Sequence, residues 1–253
     1  MADTPAPGTQ TLARGLAIIR AVADGADDLR TLVERTGLGR STAHRLTQLL
    51  VTEGYLRSGR DGYTLGPTLI ELGFQALHGN PLPVVARPVL EELSAQLHDT
   101  LHLAVRDGDS VLYLDKLPGT RGAEMRSRIG HRMPLTRTGV GMALLLDSEP
   151  QWPALYQAEA PTAPDQVHPQ DLDAFLARMR AYAESGVAMD LEDNEPGIRC
   201  VAAPIRDATG AIAGAISVSA TRPYMPAARM RGLTTVIGRA AQRISATLGH
   251  REP

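Results

Sequence analysis

Residues 29–66, LRTLVERTGLGRSTAHRLTQLLVTEGYLRSGRDGYTLG, determine the fold of the first part of the chain. This stretch predicts a helix, a tight turn, a second helix and a short β-hairpin. In the first helix, Leu29, Leu32 and Val33 share one apolar stripe at the helical period. Gly37 follows them and suits the left-handed residue that often ends a helix. Two helices joined in this way indicate a helix-turn-helix.

The second helix of this stretch combines an apolar face with a polar face that suits DNA. Its apolar positions Ala43, Leu46, Leu49 and Leu50 are predicted to be buried. None of the other positions from 40 to 48 is acidic, as expected for a helix that enters the major groove by its amino-terminal end. An ordinary solvated helix in a small α domain is the alternative. Outward-facing side chains are predicted for Arg40, Ser41, Thr42, His44, Arg45, Thr47 and Gln48, of which all but Thr47 are predicted to contact DNA.

After this helix, two short alternating segments flank Asp61-Gly62, a dipeptide typical of hairpin turns. A hairpin directly after a helix-turn-helix is a wing, from which Arg57 and Arg60 are predicted to contact the phosphates of double-stranded DNA. The stretch is therefore predicted to be a winged helix-turn-helix. A third helix upstream, which closes the domain, is predicted from Leu12, Leu16, Ile19 and Val22.

The composition is that of an ordinary globular protein. The chain has 253 residues, 43% of them hydrophobic, which is enough for one or two domains. A net charge of −2 argues against a protein that coats nucleic acid indiscriminately. No signal peptide, membrane span, metal site or cofactor is expected, since no apolar run is long enough and the seven histidines lack ligand spacing. The lone Cys200 excludes an intramolecular disulfide and fits the reducing cytoplasm.

Four regions are expected along the chain. Residues 1–9 predict a flexible tail, and residues 10–66 are the predicted winged helix-turn-helix domain. Residues 67–99 predict a helical linker that is interrupted near residues 78–81. Such a linker transmits motion between domains, serves as a passive spacer or forms a dimer. Residues 100–253 predict a second domain that mixes helices with strands.

The second domain is predicted to be an α+β domain of the sensor type, with helices around an antiparallel sheet. Strands are predicted at 101–105, 110–114, 123–129, 187–191, 198–206 and 211–220, and helices at 139–146, 170–185 and 225–248.

Two segments give the chain its resemblance to a known family. One is the winged-helix stretch quoted above, and the other is residues 186–219, GVAMDLEDNEPGIRCVAAPIRDATGAIAGAISVS. Both are similar to segments of the IclR family of bacterial transcription regulators. The resemblance implies a carboxy-terminal GAF-like effector-binding domain, a homodimer or homotetramer, a palindromic operator near catabolic genes and a small organic acid as effector.

The resemblance also implies a pocket. Gly139 and Val140 follow Thr138 at a predicted helix start, where backbone N–H groups favour a carboxylate. Ser217 and Ser219 lie two apart on a strand and share one face. The plainer alternatives are a turn glycine, an outward strand face and, for Cys200, a buried small residue. Carried over by position, the effector-binding residues are Met125, Gly139, Val140, Asp190, Ile198, Cys200, Ser217 and Ser219.

This chain departs from the family pattern at residues 138–142, where TGVGM stands in place of the common SGAGK. Val140 is expected to narrow the floor of the pocket. Nearby basic residues favour an anionic effector, although a solvated basic edge or a subunit contact is equally compatible with them. They are Arg126, Arg128, His131, Arg132 and Arg137, of which Arg126 is predicted to bind the effector. His102 is a further candidate for the pocket lining.

These observations favour a ligand-responsive DNA-binding regulator of a catabolic operon, with repression as the expected sign. Sugar acids, keto acids and aromatic acids are all compatible effectors, and a hydroxylated or keto acid is preferred because Asp190 and the two serines can bond hydroxyls. The chain is not expected to be an enzyme. Two alternatives stay open: a carboxy-terminal domain that only oligomerises, and an enzyme in which Cys200 is the nucleophile, assisted by Asp190, Glu192 or His102.

Overall fold

A computed structural model describes residues 9–78, 81–121, 125–160 and 171–251. Nearly all of the predicted flexible tail, residues 1–8, lies outside the described residues. The chain divides into two compact units, Met1–Asn80 and Pro81–Pro253. Of the predicted linker, one helix falls in each unit. No helix in the described part of the chain is long and apolar enough to cross a membrane.

The first unit is a winged helix-turn-helix, as predicted. Asp28 accepts the backbone N–H of Thr31 at 2.7 Å and begins the second helix, which ends at Gly37 with a φ of 65°. Its elements in chain order are α1 (Gln10–Ala23), α2 (Leu29–Thr36), α3 (Arg40–Thr52), β1 (Leu56–Gly59), β2 (Gly62–Leu65) and α4 (Pro67–His78).

The core of this unit differs from the prediction in two helices. In α3, Leu49 is 55% exposed while Thr47 is fully buried. At 100° per residue, Thr47 lies beside Ala43 and the other buried positions, whereas Leu49 lies well to one side of them. In α1, the predicted stripe is wrong at its amino-terminal end, because Leu12 and Leu16 are exposed. The buried core is formed by Ile18, Ala21, Val22, Ala26, Leu32, Leu46 and Leu56.

The wing is an antiparallel hairpin whose tip is Arg60-Asp61, with Gly59 paired to Gly62. It is tied to the loop before α2, because the Tyr63 N–H donates to the Asp27 carbonyl at 2.7 Å. Gly62 has a φ of 97°, and a Cβ there would lie 2.2 Å from the same carbonyl oxygen. Only glycine satisfies both conditions, which explains the Asp-Gly pair in the sequence.

The second unit is the predicted α+β domain around an antiparallel sheet, and its curved sheet is consistent with a GAF-like fold. Its six strands run in the order β5-β4-β3-β8-β7-β6, and all neighbouring pairs are antiparallel. The elements are α5 (Pro81–Leu97), β3 (Thr100–Asp107), β4 (Ser110–Leu117), β5 (Arg132–Met133), α6 (Gly139–Leu144), α7 (Trp152–Glu159), α8 (Leu172–Ser185), β6 (Ala188–Leu191), β7 (Ile198–Arg206), β8 (Ile212–Thr221) and α9 (Ala227–Thr247).

Helices cover both faces of this sheet. Leu101 and Leu103 of β3 pack with α5 and α9 in one core, while Ala104 belongs to a second core with α6, α7 and α8. A strand covered on both faces buries its side chains regardless of alternation. As a result, His102 is buried although it occupies the polar position of an alternating segment.

One predicted strand is wrong. Residues 123 and 124 lie outside the described residues, and Met125–Arg128 are not in a strand. The edge of β4 is instead paired with β5, since Val111 opposes Met133 and Leu112 opposes Arg132. The displaced segment is held by a side chain, because the Lys116 Nζ donates to the carbonyls of Met125 and Ser127, both at 2.7 Å. The predictions also missed α7 and β5.

Candidate functional site

The polar surface of α3 and the wing carries the residues that were predicted to contact DNA. All of them are exposed except Thr42, which is half-buried. Those on α3 are Arg40, Ser41, Thr42, His44, Arg45 and Gln48, and those on the wing are Arg57 and Arg60. The structure therefore leaves this basic surface accessible, and its contacts with bases and phosphates remain predictions.

The second unit contains a cavity of about 250 Å³ between the sheet, the start of α6 and two loops. Every residue predicted for the effector pocket lines it, together with the further candidate His102. Those nine predicted residues are Met125, Arg126, Gly139, Val140, Asp190, Ile198, Cys200, Ser217 and Ser219. The structure brings them together from five separate segments, and their part in effector binding remains a prediction.

The floor of the cavity is a polar row on one face of the sheet. Asp190 of β6 lies opposite Cys200 of β7, which lies opposite Ser219 of β8. Ser217 is two residues from Ser219 on the same face and opposes His102 of β3. Neighbouring strands therefore place four different hydrogen-bonding groups next to one another, all of them buried.

The start of α6 closes one side of the cavity. The Thr138 hydroxyl caps this short helix by accepting the Gly141 N–H at 3.1 Å. A Cβ at Gly139 would lie 2.6 Å from the Cys200 Sγ, so glycine is what lets the helix start approach the sheet. The Gly139 N–H donates toward the Cys200 sulfur. Val140 follows and also lines the cavity, and its narrowing of the pocket remains a prediction.

We call residues 125–131, which cover the opposite side of the cavity, the strap. Besides the two bonds from Lys116, the strap is held by the Gly130 N–H, which donates to the Tyr113 carbonyl at 2.9 Å. At the mouth, Arg126 of the strap lies 3.8 Å from Glu195 in the loop after β6. This ion pair joins the two loops that border the entrance, and with Arg126 90% exposed it contributes little stability.

Three titratable side chains in the interior of the cavity are uncharged near neutral pH. Burial lowers the pKa of His102 to about 3, with a smaller contribution from the Lys116 cation. Burial, with the nearby Asp190, raises the pKa of Cys200 to about 12. Burial also raises the pKa of Tyr113 above its usual range. Imidazole, thiol and phenol are therefore all neutral hydrogen-bonding groups here.

Asp190 is the unusual member of the floor. Burial, together with the neighbouring Asp193 carboxylate, raises the pKa of Asp190 to about 8, while the Asp193 N–H bonds its Oδ1 at 2.7 Å. Asp193 itself forms an ion pair with Arg178 at 3.0 Å. At neutral pH, Asp190 is thus largely protonated. It can donate to a ligand carboxylate as well as accept from a ligand hydroxyl.

The basic residues near the strap, which favour an anionic effector in the sequence, do not all reach the cavity. Arg126 and His131 line its mouth, whereas Arg128, Arg132 and Arg137 do not line it. Arg132 is exposed and forms an ion pair with Asp107, and Arg128 borders a separate open groove.

Several lining residues were not predicted for the pocket. Met133 lies in β5, Tyr113 occupies an inward position of β4, and Thr138 caps α6. Two of the unpredicted residues had a signal in the sequence: Thr138 precedes the predicted helix start, and His131 is one of the nearby basic residues. The unpredicted residues are Tyr113, Ser127, His131, Met133, Thr138, Asn194 and Glu195.

The alternative of an enzyme with Cys200 as nucleophile is wrong. The thiol is buried and its raised pKa keeps it protonated, whereas a nucleophile needs the thiolate. The guanidinium of Arg199 does not help, since it is paired with Glu192 at 2.9 Å.

Comparison with known proteins agrees with this architecture. The family model of the IclR helix-turn-helix domain matches residues 11–60, and that of the bacterial transcriptional regulator IclR C-terminal domain matches residues 74–246. The DNA-binding transcriptional repressor YiaJ of Escherichia coli (strain K12) is 30% identical over 252 residues, covering 96% of this chain and 89% of that protein.

Solved structures are similar in fold over most of this chain. A transcriptional regulator from Rhodococcus sp. RHA1 superposes with a TM-score of 0.81 at 29% identity, covering 94% of this chain and 98% of that one. An IclR homolog from Microbacterium hydrocarbonoxydans, crystallised with 4-hydroxybenzoate, has a TM-score of 0.79 at 24% identity, with coverages of 94% and 98%.

Proposed function

Because this chain belongs to the IclR family of DNA-binding transcriptional regulators, which are not enzymes, we propose that it represses a catabolic operon and that a small organic acid in its cavity changes its operator affinity. The observation that carries this proposal is the cavity of about 250 Å³ beneath the strap. An acid that binds one arrangement of the regulator better than another shifts operator affinity by their difference, typically about 1–3 kcal/mol.

The chemistry of the cavity favours a hydroxylated or keto acid with one carboxylate. The floor of the cavity offers neutral donors and acceptors, whereas the guanidinium group of Arg126 lies at the mouth. Apolar side chains of Met125, Val140 and Ile198 lie between them and suit a short carbon skeleton or a single ring. A second carboxylate at the buried floor would lose its hydration there with no cationic side chain of the described floor residues beside it, so dicarboxylates are expected to bind worse.

The experiment that tests this function is a thermal-shift screen of the purified protein against sugar acids, keto acids and aromatic acids, with 4-hydroxybenzoate among them. Each acid that raises the melting temperature is then added to a gel shift with the DNA upstream of the gene. We expect one acid to do both, and the Ser217→Ala, Ser219→Ala double variant to lose that response while it keeps operator affinity. Stabilisation by none of the acids would favour the alternative in which the second unit only oligomerises.

Two arginine variants should distinguish the recognition of bases from the contact with phosphates. Arg45→Ala on α3 should weaken operator binding by about 1–3 kcal/mol and affect random DNA much less. Arg60→Ala on the wing should weaken both DNAs similarly and reduce the salt dependence of binding by about one phosphate contact. Fluorescence anisotropy at several salt concentrations measures both effects, with the exposed Arg239→Ala on α9 as the charge-matched control. Equal losses on operator and random DNA for Arg45→Ala would refute the base contact.

We also propose that the regulator acts as a homodimer or homotetramer. The first unit exposes large apolar side chains on two helices, Leu12 and Leu16 on α1 and Ile70 and Phe74 on α4. Such side chains commonly become buried when subunits associate. Sedimentation equilibrium should therefore give a mass of two or four chains, and a monomer at micromolar concentration would contradict this proposal.

A further inference from the structure

One buried side chain joins the floor of the cavity to the strap above it. The Nε2 atom of His102 lies 2.7 Å from the Ser127 Oγ in the strap, and its Nδ1 atom lies 3.4 Å from the Ser217 Oγ in the floor. His102 is 4% exposed and Ser217 is 1% exposed, so both side chains are buried in the cavity wall. The three side chains form a continuous hydrogen-bond chain across the cavity wall.

Few of the described hydrogen bonds hold the strap, and the bond from His102 is one of them. Lys116 holds the carbonyls of Met125 and Ser127, and the Gly130 N–H bonds the Tyr113 carbonyl. These contacts reach the strap from β4. The bond from His102 reaches it from β3, which also pairs with the floor strand β8. Among the described side-chain bonds to the strap, the one from His102 comes from a residue that also contacts Ser217 in the floor.

In a neutral imidazole the hydrogen-bonding roles of the two nitrogens are linked, because one nitrogen carries the hydrogen and the other accepts. If the Ser217 hydroxyl donates to Nδ1, then Nε2–H donates to Ser127. If Ser217 donates elsewhere, its oxygen accepts from Nδ1–H, and the Ser127 hydroxyl must donate to Nε2. Hydroxyl groups can take either role, so both arrangements satisfy every partner.

We propose that His102 is a positioning residue that couples the hydrogen bonding of Ser217 to the hydrogen bond that attaches the strap. The chemical group bound at the floor therefore changes how the strap is held at the mouth of the cavity. A ligand carboxylate that accepts from Ser217 selects one arrangement, and a ligand hydroxyl that donates to Ser217 favours the other. The regulatory meaning of this coupling rests on the proposed function, while the coupling itself is a property of the free protein.

The test is hydrogen exchange of the strap amides in the ligand-free, full-length protein. Ser127→Ala and His102→Phe each remove the bond to the strap and should speed exchange at Gly130 and His131 about fivefold, the equivalent of one ordinary hydrogen bond. Ser217→Ala should speed it about twofold in the wild-type background and not at all in the His102→Phe background. Ser219→Ala is the matched control, since Ser219 lines the same floor but shows no hydrogen bond to His102 among the described contacts, and it should leave the strap unchanged.

A second measurement covers the case in which His102→Phe does not fold. The ¹⁵N shifts of the His102 ring in the folded protein report its tautomer, and Ser217→Ala should change them while Ser219→Ala should not. The proposal is overturned if the two serine variants have the same effect on strap exchange and ring shifts, or if Ser217→Ala still speeds exchange in the His102→Phe background. A failed effector screen would leave these results untouched, because no ligand is present in either measurement.

Discussion

Replacing Gly66 with alanine should destabilise the first unit by about 3 kcal/mol and abolish operator binding. A Cβ at this position would lie 2.0 Å from the Gly54 carbonyl oxygen and 2.8 Å from the Tyr55 carbonyl carbon. Both atoms are backbone, so neither can rotate away as a side chain would. The Gly66 N–H also donates to the Tyr55 carbonyl at 2.8 Å, a bond that the displaced chain would lose. The junction between wing and α4 therefore has no room for a side chain.

Gly59→Ala is the control for this variant, because a Cβ at Gly59 meets no atom within 4 Å and the residue lies in the same wing. Scanning calorimetry reports the stability, and anisotropy with the upstream DNA reports the loss of binding. Gly59→Ala should match the wild type in stability. A Gly66→Ala protein with the wild-type melting temperature would show that this junction shifts without cost.

Raising the pH from 6.5 to 8 should destabilise the second unit through Asp190 by about 2 kcal/mol. The pKa of this carboxyl is raised to about 8 in the folded protein, first by burial and then by the Asp193 carboxylate, against a value of 3.8 for the free side chain. Between these two values, the folded state binds more protons than the unfolded state. The free energy of unfolding due to Asp190 therefore falls as the pH rises through this window, and it levels off above the folded-state pKa.

Asp190→Asn removes the titration and keeps an oxygen for the Asp193 N–H, so its melting temperature should fall less over the same pH range. The window starts at pH 6.5 because His102 acts in the opposite direction below it. Burial lowers the pKa of His102 to about 3, and its contribution to stability is complete above 6.5 and is lost as the pH falls toward 3. Parallel curves for the wild type and Asp190→Asn would mean that Asp190 is ionised throughout.

Local chemistry in the sequence was sufficient to predict most of the elements. The helical period of α2 and the Asp-Gly pair of the wing each act over a few neighbouring residues, so their pattern alone indicates the structure. The resemblance to a family added the positions of the lining residues. The same patterns gave a wrong prediction where either of two residues could be the buried one, as for Leu49 and Thr47 in α3.

The tertiary structure alone decided the chemistry of the cavity. The raised pKa of Asp190 and the neutral state of His102 come from desolvation by atoms of several strands and helices that are remote in sequence. The position of Arg132 likewise depends on a long-range contact, since it lies in β5, which pairs with β4. Periodicity determines which face of an element is apolar, whereas charge state and hydrogen-bond partners depend on what the rest of the chain places against that face.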